Sequence, residues 1–174
     1  FLTVGKPLAG GLPAAVYGFT QQVADEFVAR LDVNDSDVGG IGGTLAGNAL
    51  SLAAMRATLT EVLTPEFYAR AIPLAERFTA GVESVIAEKG LPWIVKRLGC
   101  RAEYWFRATP PRNGGEAAAA VDADLDRYMH LSALNRGILL TPFHNMALFC
   151  PAVTEAEVDR HTEVFRESVA AVVQ

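Results

Sequence analysis

The feature that most constrains this chain is a change of hydrophobic period at Pro92. From Pro65 to about Lys89 the apolar residues Leu74, Phe78, Val82, Val85 and Ile86 recur at helical spacing. Pro65 sits at the first position, where its missing N–H costs nothing, and Gly90 supplies a left-handed stop. Beyond Pro92 the pattern becomes period two, through Trp93 to Leu98 and again through Arg101 to Phe106, with Gly99-Cys100 as the turn. A long helix that buries one stripe, followed at once by a hairpin, predicts a helix laid on an antiparallel sheet.

The flanking segments extend that frame. Two short apolar runs, Phe1 to Val4 and Ala14 to Phe19, enclose a glycine- and proline-rich stretch and read as strand, loop, strand. A short amphipathic helix is expected from Gln21 to Leu31, a loop from Asn34 to Gly43 and a helix from Asn48 to Leu63. Beyond the hairpin we expect a loop from Thr109 to Gly115 and a helix from about Glu116 to Asn135. Strands at Ile138–Thr141 and Met146–Cys150 follow, then a last helix from Thr154 to about Val172, opened by a Thr154/Glu157 capping box. The fold class is α/β: two helices pair across a domain boundary, and the segment from about Pro92 onward is a small α+β unit of antiparallel strands backed by two helices.

Composition narrows the function. With 51% hydrophobic residues among 174 the chain can bury a core, and a net charge of -5 supplies no field for nucleic acid or an anionic membrane. Cys100 and Cys150 lack the spacing of a zinc site or a disulfide framework. Apolar stretches are interrupted well before the ~18 residues of a membrane span, so a cytoplasmic protein acting on a small molecule is the expectation. The chain opens on Phe1-Leu2-Thr3-Val4 without an initiator Met, and we expect an upstream segment to complete its first strand.

Two loops could carry chemistry. Lys6 stands at the mouth of the first strand, followed by Gly10-Gly11-Leu12-Pro13, where partial burial would favour the neutral amine that attacks a carbonyl. Gly42-Gly43-Thr44-Leu45-Ala46-Gly47-Asn48 runs into a helix, and bare backbone N–H groups, a hydroxyl and a helix N-terminus together suit a phosphate. Each has an ordinary reading as well: a solvated lysine, and a flexible loop with a helix cap.

Taken in this order, the two loops resemble the class III pyridoxal-phosphate enzymes, in the branch of the glutamate-1-semialdehyde aminomutases and β-phenylalanine transaminases. That branch has Gly-Lys followed by Gly-Gly-Leu-Pro-x-x-x-Tyr-Gly, matched by Gly5-Lys6 and Gly10 to Gly18. Its Gly-Thr-x-x-Gly-Asn-Pro-Leu segment is matched by Gly43 to Leu50, with Ala49 in place of proline. Arg136-Gly137 with the apolar run after it, and the Thr154-Glu155-Ala156-Glu157-Val158-Asp159 helix start, extend the likeness over nearly the whole chain.

The resemblance implies an α/β fold-type I transferase in which residues 1–60 finish the large domain, 61–91 form a connecting helix and 92–174 form the small domain. It implies that Lys6 carries pyridoxal 5'-phosphate as a Schiff base and moves the proton during amino transfer. It implies that Gly43 and Thr44 bind the phosphate across subunits of a homodimer, with the family's aspartate and ring-stacking aromatic lying upstream of this chain. For the substrate it suggests Arg136 as carboxylate partner, alongside its alternative as a helix C-terminal arginine, and Met146 in an apolar wall suited to an aromatic β-amino acid. His144 reads as a loop hydrogen-bonder, His130 and His161 as structural, and no metal is expected. Aminomutase chemistry, a non-catalytic phosphate-binding module and an inactive fragment are the competing readings.

Overall fold

The computed structural model describes residues 1–30, 43–142 and 144–173. It divides into two units, Phe1–Thr64 and Pro65–Gln174, each with its own internal contacts. The division places the Pro65 helix with the second unit.

In the first unit β1 (Leu2–Val4) pairs antiparallel with β2 (Val16–Gly18), Thr3 opposite Tyr17. The loop between them is two linked turns, Leu8 N–H to Gly5 O at 3.1 Å and Leu12 N–H to Ala9 O at 3.1 Å, which tuck Leu8 and Ala9 into the interior. Gly10 and Gly11 adopt φ of 58° and 102°, a region that favours glycine, so the Gly-Gly pair is what turns the chain back. Helix α1 (Gln21–Val28) is capped by Thr20 and stops short of the expected Leu31, which lies outside the described residues. Helix α2 (Ala49–Ala57) is capped by the Asn48 side chain and passes into a π-helical turn at Thr58–Val62. There the Thr60 hydroxyl donates to the Arg56 carbonyl at 2.8 Å, a local competitor for the backbone that the helical composition of Asn48–Leu63 did not reveal.

The second unit is built on α3 (Pro65–Glu88), the three-stranded sheet β3 (Ile94–Leu98), β4 (Arg101–Trp105) and β5 (Met146–Leu148), and α6 (Glu155–Val172). Phe78, Val82 and Val85 of α3 meet Val95, Ala102 and Tyr104 of the sheet and Val158, Phe165 and Val169 of α6 in one apolar core. Full burial of each such side chain contributes roughly 1.5–3 kcal/mol. Helices α3 and α6 run in the same direction, since Arg77 meets Asp159, Gly81 meets Thr162 and Glu88 meets Arg166. Their approach is set by Gly81, where a Cβ would fall 2.2 Å from Thr162 Oγ1. At the helices' outer edge Arg77 grips both Asp159 oxygens, at 2.6 and 2.8 Å.

Three expected elements differ. The helix expected from Glu116 to Asn135 is two, α4 (Gly114–Ala118) and α5 (Ala123–Leu134), because Asp122 leaves the helical path to cap the Leu125 N–H at 3.0 Å. The strand expected at Ile138–Thr141 is absent. Gly137, at φ 84°, and Ile138 instead donate to Leu134 O and Ala133 O, so this backbone closes α5. Strand β5 is shorter than expected, ending before Pro151. The hairpin, the long helix and the Thr154/Glu157 capping box stand as read.

His161 of α6 lies in this core at 5% exposure, its ring 4.3 Å centroid to centroid from Phe78, and burial pushes its pKa down to about 4. The folded state therefore prefers the neutral ring, and stability is complete above the unfolded value near 6.5 and falls as pH drops through 4. We expect a loss of about 3 kcal/mol from this residue between pH 7 and pH 4. His161→Phe should flatten the denaturant-midpoint profile between pH 6.5 and 4.5, above most of the carboxylate titrations; a parallel profile would refute this.

Candidate active site

In the first unit Lys6 begins the turn that leaves β1, and its side chain is exposed. It is one of three lysines in the chain and the only one in this unit. Lys89 pairs with Glu88 at 2.9 Å, and Lys96 lies along β3. Among the described residues nothing holds the Lys6 amine by a hydrogen bond or ion pair, which leaves it available to a ligand.

Gly43 and Thr44 are exposed at the start of the turn before α2, where Ala46 N–H donates to Gly43 O at 2.8 Å and Gly47 takes φ of 69°. Gly42 of the expected phosphate loop lies outside the described residues. Asn48 ends the turn by accepting from Ser51 N at 2.9 Å, which satisfies one N–H of the first helical turn. Ser51 in turn donates through Oγ to Pro13 O at 3.0 Å. This bond ties the glycine turn that follows Lys6 to the helix that follows Thr44. The Lys6 amine, the Thr44 hydroxyl and a capped helix start thus belong to one small unit, and by its chemistry each suits one end of a phosphorylated carbonyl compound. Sequence reasoning missed Ser51, because a link of 38 positions leaves no local signal.

The remaining expected site residues lie in the second unit. Arg136 follows the last turn of α5 and donates to Ser132 O at 3.0 Å, to Ser132 Oγ at 2.7 Å and to Glu167 at 3.1 Å. Its guanidinium closes the helix end as a dipole argument predicts, with a carboxylate already beside it. Met146 lies half-buried in β5 and lines an apolar cavity of about 490 Å³ walled by Phe78, Leu140, Phe149 and Val158. His144 Nδ1 sits 3.5 Å from Glu103, whose side chain is 13% exposed and also takes Arg101 at 2.6 Å. Arg101 and Glu103 therefore form an ion pair along β4. No cluster of metal-ligating side chains occurs among the described residues, and no helix there is long and apolar enough to cross a membrane.

The Ser51 link has a measurable consequence. Ser51→Ala should cost about 1 kcal/mol of stability and speed amide exchange in the Gly5–Pro13 loop. Exchange there as slow as in the wild type would show that the link holds nothing.

Comparison with known proteins places this arrangement. No family model matches the sequence. A glutamate-1-semialdehyde 2,1-aminomutase of Thermus thermophilus is 34% identical over 171 residues, covering 97% of this chain and 38% of that protein. The crystal structure of a glutamate-1-semialdehyde aminomutase from Pseudomonas aeruginosa PAO1, a lysine-to-alanine variant in complex with PMP, is 46% identical. It superposes with a TM-score of 0.89, again over 97% of this chain and 38% of that one. The β-phenylalanine aminotransferase of Variovorax paradoxus shares the fold at a TM-score of 0.74 and 24% identity, over 97% of this chain and 38% of that one. This chain spans about 38% of the length of the curated relatives it matches. By sequence and by fold, it belongs to the class III aminotransferase group of fold type I, in the branch of the glutamate-1-semialdehyde aminomutases.

Proposed function

We propose that the protein containing this chain transfers amino groups with pyridoxal 5'-phosphate, and that Lys6 is the lysine that carries the cofactor. The observation behind the reading is the Lys6 amine at the end of β1, without a partner among the described residues and the sole lysine of its unit, beside a turn built by Gly10 and Gly11. The comparison structure, a lysine-to-alanine variant in complex with PMP, supports a pyridoxal-type cofactor for this branch.

Bound pyridoxal phosphate supplies an electron sink for the carbon that loses a proton. The work of this chain is then positional and proton-transferring. Gly43 offers a backbone N–H and Thr44 a hydroxyl to the phosphate, a role we place across two copies of the chain in a cytoplasmic homodimer. Lys6 Nζ would hold the cofactor and, when freed, would move the proton between the substrate carbon and the cofactor carbon on the other side of the shared nitrogen. We assign Met146 to an apolar wall against the amino donor, which suits an aromatic β-amino acid. Arg136 serves the substrate carboxylate only by exchange, since Glu167 already stands beside its Nε.

The name carried by the Thermus and Pseudomonas relatives favours a second reading, in which the amino group moves within one amino-aldehyde. The same residues serve both.

The test is borohydride reduction of the full-length protein supplied with pyridoxal phosphate, followed by peptide mapping. A phosphopyridoxyl adduct on the Lys6 peptide is expected, and Lys6→Ala should abolish it and lower turnover by about 10²–10⁴-fold or more. An unmodified Lys6 would sink the reading. Turnover that requires an added keto acid marks transamination, and turnover without one marks the intramolecular reaction.

A further inference from the structure

The segment between α5 and β5 lacks the strand pairing expected of it, yet two elements hold it in place. Thr141 Oγ1 lies 2.8 Å from the carbonyl oxygen of His144 and 3.1 Å from that of Met146, so one hydroxyl draws the turn closed. From α5, Asp126 Oδ1 accepts from Asn145 Nδ2 at 2.6 Å in half-buried surroundings. From β4, the Tyr104 N–H donates to Asn145 O at 3.1 Å, and Glu103, opposite Met146 in the ladder, faces His144. The segment also separates two recesses. Met146 lines the apolar cavity, whereas His144 and Asn145 line a second one of about 350 Å³ together with Asp126 and Glu103.

Of these contacts, the Asp126 bond is the one that ties the segment to α5 without belonging to the ladder or to the turn itself. The Tyr104 and Glu103 backbones also carry the ladder, and Thr141 belongs to the turn itself. Asp126 lies in the first turn of α5, where a carboxylate is stabilised by the helix N-terminus, so its acceptor is fixed before it meets Asn145. A charged acceptor in half-buried surroundings makes a strong bond, and truncating it strands the Asn145 amide.

We propose that Asp126 is a positioning residue: through its hydrogen bond to Asn145 it fixes the start of β5, and with it the Met146 side chain, for the amino donor. This rests on the assignment of Met146 to the donor given above.

Two substitutions in the full-length protein test it. Asp126→Ala should raise KM for the amino donor about tenfold with kcat within about threefold, and should speed amide exchange across residues 138–148. Asp126→Asn keeps an oxygen that accepts from Asn145, so it should restore both readouts although the charge is gone. A donor KM unchanged in Asp126→Ala, or an Asp126→Asn variant as impaired as Asp126→Ala, would overturn the proposal. The borohydride adduct on Lys6 separates the two readings. Its presence in every variant with an unmoved KM refutes the positioning role alone, and its absence in the wild type refutes the functional reading. In that last case, exchange that does not distinguish Asp126→Ala from Asp126→Asn still refutes the fixing of β5.

Discussion

The second unit depends on the close parallel approach of α3 and α6 at Gly81 and Thr162. With any larger side chain at position 81 the helices would separate, and the apolar layer they share with the sheet would open. That layer sets where β4 lies, and β4 in turn carries Tyr104, whose hydroxyl titration is pushed up by burial and then by the charge of Asp126. The polar contacts that steady the Met146 segment are therefore organised from beneath by apolar packing. The exposed Arg77 grip on Asp159 directs the helices' register but is secondary, because solvent screens it.

The first unit follows a different logic. Among its described residues the interior is slight, and its form comes from turns: three glycines at positive φ, an asparagine cap and a serine that ties one turn to another. Such a unit presents backbone groups and short side chains at fixed points rather than enclosing a volume. This suits the binding of a phosphate, which is recognised by N–H and O–H donors more than by apolar contact.

Much of the architecture could be read from residues near each other in sequence. The stripe along α3, the turn at Gly99-Cys100 and the Thr154/Glu157 box all act within a few positions. What escaped was governed by competition or distance. The alanine run 117–120 favours helix everywhere along it, so nothing in its composition marks the point where Asp122 steps out to cap α5. Ile138 to Leu140 are apolar enough for a strand, but their first N–H is already engaged in closing α5. Of the candidate site, Lys6, Gly43 and Thr44 were singled out by their local motifs, whereas the partners of Arg136 and Asn145 lie 31 and 19 positions away.

The order of the sheet, β3-β4-β5, leaves two outer strands, and their sequences treat that exposure differently. Strand β3 carries Lys96 and Arg97, charges that make an incoming strand from another molecule unwelcome. Strand β5 has only three residues and is bounded by Pro142 and Pro151, which cannot donate to a growing ladder. Each margin thus has its own guard against edge-to-edge association, one electrostatic and one covalent, so the apolar Leu148 can sit at the surface without seeding a fibril.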